Sequence, residues 1–278
     1  MIYVNGDSHS AGADIIPGIC FAQDDPRYLA YGRRAHPEAV IQTYGYHVAK
    51  ALNQGFFCEA ESGSSNDRIL RLTKKTIDQA QNKKNLSIII GWSTWDREEW
   101  QDGEDFIQVT ASGTDSVPES MEEEYKEWVI NQTPEEHKRK EQLWHDRIWN
   151  FHCELKEQNI RHVFFNTYDY FNETTYQKDW NDQYINPYDK DFTYYYYLKD
   201  KGIKTVNENS HHYSIDGHRI WRNLVLENLV CQYHNINSVS DSNRSIPNYK
   251  RTDFLGLTQP TKRSIITQVK QEFKGLKR

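Results

Sequence analysis

Cysteine is scarce and scattered. The 278 residues hold four, Cys20, Cys58, Cys153 and Cys231, with no C-x-x-C pair and no zinc-finger spacing. That pattern excludes a disulfide-stapled scaffold and reads as isolated reduced thiols serving as small apolar fillers, which points to a cytoplasmic location. No apolar run approaches the roughly 20 residues that a membrane helix needs. Met1 leads directly into Ile2-Tyr3-Val4, with neither a charged n-region nor an apolar h-region before it, so no signal peptide and no membrane association are expected. An excess of positive charge is missing as well. Against 40 Asp and Glu stand 34 Lys and Arg, giving a net charge of -6, and the chain lacks the basic field of a general nucleic-acid binder. Gly-rich phosphate loops of the Walker or dinucleotide type are absent, as are internal repeats.

What the chain does have is aromatic surface. Eight Trp, 18 Tyr and 11 Phe supply large apolar faces although the hydrophobic fraction is only 37%. Short apolar runs at 1–5, 56–60, 86–90 and 162–166 read as buried strands, the third a continuous aliphatic stretch ended by Gly91. Between them, helical spacing recurs over 38–53, from near Asn66, and over 121–158 with a break at Thr133-Pro134. Residues 104–111 suit a peripheral strand, and a last helix runs from Ser214 to about Leu229. This β/α alternation predicts a parallel sheet with helices on both faces. Residues 11–37 read as a long loop, the Tyr-rich stretch 168–197 as a cap over the site, and the run Tyr194 to Tyr197 as alternating between a cleft and water if extended. From residue 238 the composition turns Ser/Asn-rich and then basic, so residues 1–237 are expected to form one domain and 238–278 a basic extension.

Chemistry-bearing residues cluster after the strands. Gly6-Asp7-Ser8-His9-Ser10 follows the first directly, placing a hydroxyl at the carboxyl end of a parallel sheet, where open α/β sheets bind ligands. A serine there attacks a carbonyl only if a base takes its proton and amide donors receive the oxyanion. Glu61-Ser62-Gly63-Ser64-Ser65-Asn66 follows the second strand and Gly91-Trp92-Ser93-Thr94 the third. Asn209-Ser210-His211-His212 precedes the last helix. The spacing Asp7-x-His9 also occurs among ligands of binuclear metal sites, but the further ligand motifs such a site needs, G-D-x-x-D, G-N-H-D and a paired G-H-x-H, are missing. Glu98, Glu99 and Glu122 to Glu124 read as solvated faces.

These blocks resemble the SGNH (GDSL-like) hydrolase superfamily, over residues 2 to 235, and look especially like the SGNH-type proteins of tailed phages, with Gly-Asp-Ser-His, Gly-Ser-Ser-Asn-Asp and Trp-Ser-Thr-Trp. The resemblance implies a three-layer, doubly wound, mostly parallel α/β sheet of flavodoxin-like type. It implies Ser8 as nucleophile and His212 as base, the latter supported by the His-x-x-x-x-Gly-His approach to the last helix, with His211 as its competitor. The Ser8 and Gly63 amides would form the oxyanion hole. Two positions depart from the family pattern. Asn209 stands where an aspartate normally orients the histidine, leaving Glu208 or Asp216 as substitutes. Ser93 stands where an asparagine normally completes the oxyanion hole, leaving Asn66 or the Ser93 hydroxyl. His9, Trp92, Trp95 and Arg97 are the expected substrate-pocket residues, with Trp100 beside them as part of a possible stacking wall.

The expected function is a serine esterase acting on a small-molecule or carbohydrate ester, for example as a deacetylase, through a Ser8 acyl-enzyme. No metal or organic cofactor is implied. The alternative is a non-catalytic glycan-binding or phage accessory or virion protein using the same cleft, and the residues leave the oligomeric state open.

Overall fold

The structure is a computed structural model that describes residues 1–16, 33–111 and 117–240, the last eight as backbone only. Four strands form one parallel sheet in the order β2-β1-β3-β6: β1 Ile2–Asn5, β2 Phe56–Cys58, β3 Ser87–Trp92 and β6 Arg161–Asn166. Its register sets Ile2 beside Phe56 and Ser87, and Trp92 beside Asn166. The chain leaves β1 for β2 and then returns past β1 to β3. The strand order therefore reverses between β1 and β3, and the crevice of an open sheet lies at the carboxyl end of such a reversal.

Helices cover both faces, which is why Ile88-Ile89-Ile90 needs no polar alternation. Tyr3, Ile88, Ile90 and Phe164 face α4 (Asn66–Gln79) and α6 (Pro134–Glu157) through Ile69, Ile77, Trp144, Ile148 and Phe151. On the opposite face α3 (Tyr44–Ala51) comes so close that a Cβ on Gly45 would stand 2.6 Å from Val4 Cγ2. Phe165 packs there against Tyr44 and against Trp221 of α8 (Ile215–Ser240). Cutting a buried aromatic such as Phe164 to Ala would cost about 3–5 kcal/mol. The architecture is thus α/β with a four-stranded parallel sheet flanked by helices.

Several local readings change. The stretch over 38–53 is two helices, α2 (Pro37–Val40) and α3, rather than one. The peripheral strand, β5 (Asp105–Val109), pairs antiparallel with β4 (Glu98–Asp102), which carries no sequence signal of its own. The break at Thr133-Pro134 separates α5 (Glu122–Ile130) from α6, whose first turn Thr133 caps by accepting from Glu136 N–H. The Tyr-rich stretch is mostly not a cap. Phe171, Trp180 and Tyr184 are buried in the main core, and the Ile185 N–H donates to Phe164 O at 2.9 Å, covering the β6 edge. Tyr194 to Tyr197 begin a helix, α7 (Tyr194–Asp200), capped by Thr193, and are not extended. The last helix runs on past Leu229.

The chain divides into a compact unit Met1–Tyr233, which holds the sheet, and a unit His234–Arg278. Residues 17–32, within the loop expected over 11–37, and 241–278 of the basic extension lie outside the described residues, as does Cys20.

Candidate active site

Gly6 ends β1 with φ of +154°, and a Cβ there would fall 2.8 Å from Gly91 O of β3. The two strand ends can approach this closely only because position 6 has no side chain. The chain then turns into a short helix, α1 (Ser8–Ala11). Asp7 caps it by accepting from His9 N–H at 3.0 Å, and Gly12, at φ +72°, closes it. Ser8 is half-buried, and among the described residues its Oγ has no hydrogen-bond partner.

The loop before α8 brings His212 to α1. Its Nδ1 lies 2.7 Å from Asp14 Oδ2, and its ring centroid is 4.8 Å from that of His9, the residue after the serine. Asp14, just beyond α1 at φ +65°, occupies the left-handed region that Asp tolerates better than most residues. Ser210 ties the arrangement together. Its hydroxyl donates to Asp14 Oδ2 at 2.9 Å and accepts from His212 N–H at 3.0 Å. The Asp14 carboxylate retains 6% exposure and the imidazole 19%, so the pair is shielded but open on one side. Nδ1 faces the carboxylate, and Nε2 makes no hydrogen bond among the described residues.

The other groups expected to orient this imidazole do not reach it. Asn209 is exposed, and its backbone N–H donates to Asn207 Oδ1. Glu208 is exposed and Asp216 pairs with Arg219. His211 is exposed with its ring beside Tyr195. Sequence reasoning missed Asp14 because nothing in its spacing marks it. The only hint was a glycine and an Asp together just past the serine turn.

On the second loop, Gly63 has φ of +77°, the conformation that calls for glycine there. Neither the Ser8 nor the Gly63 amide N–H donates a hydrogen bond among the described residues. The loop itself is firmly held. Ser65 caps α4 by accepting from Arg68 N–H, its own N–H donates to Gln108 Oε1 at 2.8 Å, and Arg68 meets Glu61 at 2.6 Å.

Asn66 is fully engaged elsewhere. Its Oδ1 accepts from Ser93 N–H at 2.8 Å and one of its two Nδ2 hydrogens goes to Ser93 O at 3.1 Å, so the buried side chain clasps the end of β3. Ser93 Oγ is buried and occupied in turn. It accepts from Arg97 Nη1 at 2.8 Å and donates weakly to Asp7 Oδ2 at 3.4 Å. Trp92 and Trp95 do not line a pocket. Both are fully buried, Trp92 against Trp144, Phe151 and Phe164, and Trp95 stacked on Phe171 at 4.9 Å. Trp100, on β4, packs edge-on against Trp128.

Burial dominates the electrostatics. It raises the Asp7 carboxyl above the usual carboxylate range, against the opposing pull of Arg97, the His9 N–H, His212 and Ser93. Burial, aided by His212 and Arg97, holds the His9 imidazole well below its ordinary value, so that ring is neutral. It sits among Tyr168, Tyr194 and His212, and its buried Nδ1 has no partner among the described residues. His218 accepts from Tyr44 N–H at 3.3 Å inside the core, and burial pushes it down to about 3. Among the described residues no three His, Cys, Asp or Glu side chains are grouped to hold a metal ion, and no helix is long and apolar enough to cross a membrane.

Among the described residues the arrangement supplies an unengaged hydroxyl, a carboxylate-anchored imidazole beside the next residue, and two unengaged amide N–H groups at a strand-order reversal. Comparison of the chain with protein-family models, with curated proteins and with solved structures gives no match in any of the three, so the chemistry of the site rests on its own geometry.

Proposed function

We propose that the protein is a serine hydrolase of acyl esters, with a doubly wound SGNH-like fold, Ser8 as nucleophile, His212 as general base and Asp14 as the group that orients it. The observation that carries this reading is the 2.7 Å contact between His212 Nδ1 and Asp14, with the imidazole packed against the residue that follows Ser8. A carboxylate on Nδ1 fixes the tautomer that leaves Nε2 as a base and stabilises the imidazolium formed during attack.

Ser8 Oγ attacks the ester carbonyl carbon while Nε2 takes its proton. The negative charge that develops on the carbonyl oxygen is received by the Ser8 and Gly63 amides. As the tetrahedral species collapses, the imidazolium protonates the departing alkoxide. A water, deprotonated by the same imidazole, then releases the acid from Ser8.

The test is intact mass after incubation with a fluorophosphonate probe, on wild type, Ser8→Ala and His212→Ala. One adduct per wild-type chain, missing from Ser8→Ala and much slowed in His212→Ala, supports the reading. Folded wild type that stays unlabelled by probes of several sizes overturns it.

A further inference from the structure

Three helical arginines each meet a carboxylate closely: Arg68 reaches Glu61 at 2.6 Å, Arg147 reaches Asp67 at 2.7 Å, and Arg71 holds Glu99 through two bonds of 2.8 and 2.7 Å. Arg97 does not. Among the described residues its closest carboxylate oxygen is Asp7 Oδ2 at 3.5 Å, at the limit of a hydrogen bond, and its one firm bond there is from Nη1 to the Ser93 hydroxyl at 2.8 Å. Among the described residues its Nε and Nη2 have no acceptor, and the side chain keeps 26% exposure. The other nearby carboxylates are engaged elsewhere. Asp169 accepts from Trp95 N–H at 2.9 Å and Asp96 pairs with His137 at 2.8 Å.

Arg97 is therefore an anchored guanidinium with an open edge. It adjoins Asp7, the residue before Ser8, and its charge acts on His9, the residue after Ser8, and on Tyr168, whose ring lies 5.3 Å from that of His9. His9 adds a second group, a ring that is 96% buried and whose Nδ1 has no partner among the described residues. An open guanidinium edge presents two parallel N–H donors, which match the paired oxygens of a carboxylate or a phosphate.

We infer that Arg97 forms an anion subsite beside Ser8 that binds a carboxylate or phosphate group carried by the ligand. Resting on the hydrolase reading, this makes the preferred substrate an anionic ester, whose charged group Arg97 holds while the acyl group lies over Ser8.

The test separates the two ideas because it needs no turnover. In Ser8→Ala protein, the Arg97 Nε–Hε resonance is followed by NMR during titration with sodium phosphate, sodium acetate and neutral acetamide. A saturable shift with phosphate or acetate but not acetamide supports the subsite when the accompanying shifts of the Asp7 and Ser93 backbone amides are lost in Ser8→Ala/Arg97→Gln and not restored in Ser8→Ala/Arg97→Lys, and the stronger of the two anions names the ligand group. No saturable shift with either anion at tens of millimolar overturns it, even if wild type hydrolyses neutral esters. Conversely, anion binding at Arg97 in a protein that no fluorophosphonate labels would retain the subsite and remove the hydrolase.

Discussion

Replacing Asp14 by Asn tests the proposed site at its least conventional member. The change keeps side-chain size and removes one negative charge from a contact of 2.7 Å with His212 Nδ1. With charge centres roughly 4 Å apart, an imidazolium–carboxylate attraction amounts to about 4 kcal/mol at an effective dielectric of ~20, and about 1 kcal/mol if water screens it fully. The carboxylate is 6% exposed and the imidazole 19%, so the site lies toward the first figure. An amide can also turn its N–H toward Nδ1 and select the wrong tautomer. In the serine-protease triad the same substitution costs about 10⁴ in rate. For Asp14→Asn we expect kcat on an activated ester to fall by at least ~100-fold, about 2.7 kcal/mol at 1.36 kcal/mol per decade. Asn209→Ala should stay within about threefold of wild type, because the side chain is exposed and away from the imidazole. The assay is steady-state ester hydrolysis, with thermal unfolding as a control for folding. Asp14→Asn that unfolds normally and keeps more than a tenth of wild-type kcat would refute the assignment, as would Asn209→Ala that is equally impaired.

Two further outcomes concern the scaffold. Asn66→Ala removes both bonds to the Ser93 backbone and leaves a buried N–H and C=O without partners, so urea denaturation should show a loss of about 2–4 kcal/mol; a loss below ~1 kcal/mol would mean the clasp is dispensable. Acid should also destabilise the fold. Burial lowers His145 and His152 to about 4 and His162 and His218 to about 3, so the unfolded chain binds more protons than the folded one between those values and 6.5. Their contribution is complete above pH 6.5 and is lost as pH falls toward 3. Asp169, raised to about 6 by burial, acts in the opposite sense, as do Asp7, Asp67 and Glu141, which burial also raises, while His9 and His47, lowered by burial, add to the effect of the other histidines. Thermal midpoints measured from pH 8 to 4 should be flat at the top and decline below about 6, and a midpoint that rises on acidification would contradict this balance.

Elements buried on both sides were legible. Strands β1, β3 and β6 carry short apolar runs bounded by turn or polar residues, and Gly6 after β1 and Gly91 near the end of β3 pointed to the crevice. Elements with one wet face were legible where a spacing marked them, as in β2, β5, α4 and α6, but the most polar strand was not. β4, Glu98-Glu99-Trp100-Gln101-Asp102, is too polar to show a strand pattern, and its pairing with β5 comes from the tight turn at Gly103, whose φ is +60°. For α7, the Thr193 cap was a usable signal that the run of tyrosines concealed. Trp92 and Trp95 follow a strand as pocket residues would, yet each indole fills a volume between β3 and α6 or the returning Tyr-rich segment, where apolar burial outweighs any stacking role. Asn66 was a candidate for the oxyanion hole, but its amide oxygen and nitrogen both meet the Ser93 backbone, a contact that no local pattern marks.

Asp14 was invisible for a different reason. Its partner stands 198 residues away, and contacts of that range follow from topology rather than local pattern. An imidazole base needs an acceptor on Nδ1, and the order of the partners along the chain does not matter to the chemistry. Placing the acid just after the nucleophile has a mechanical consequence. Asp7, Ser8 and Asp14 flank one four-residue helix closed by Gly12, so nucleophile and acid are held by the same turn. The incoming loop needs only to dock His212 onto that turn, and Ser210 supplies a second point of attachment to Asp14. In the proposed reaction the distance from the acid to the nucleophile is therefore set locally, by α1, while the base is the single member brought in from afar. Ser210→Ala should accordingly weaken the docking of His212 without altering the Ser8–Asp14 geometry.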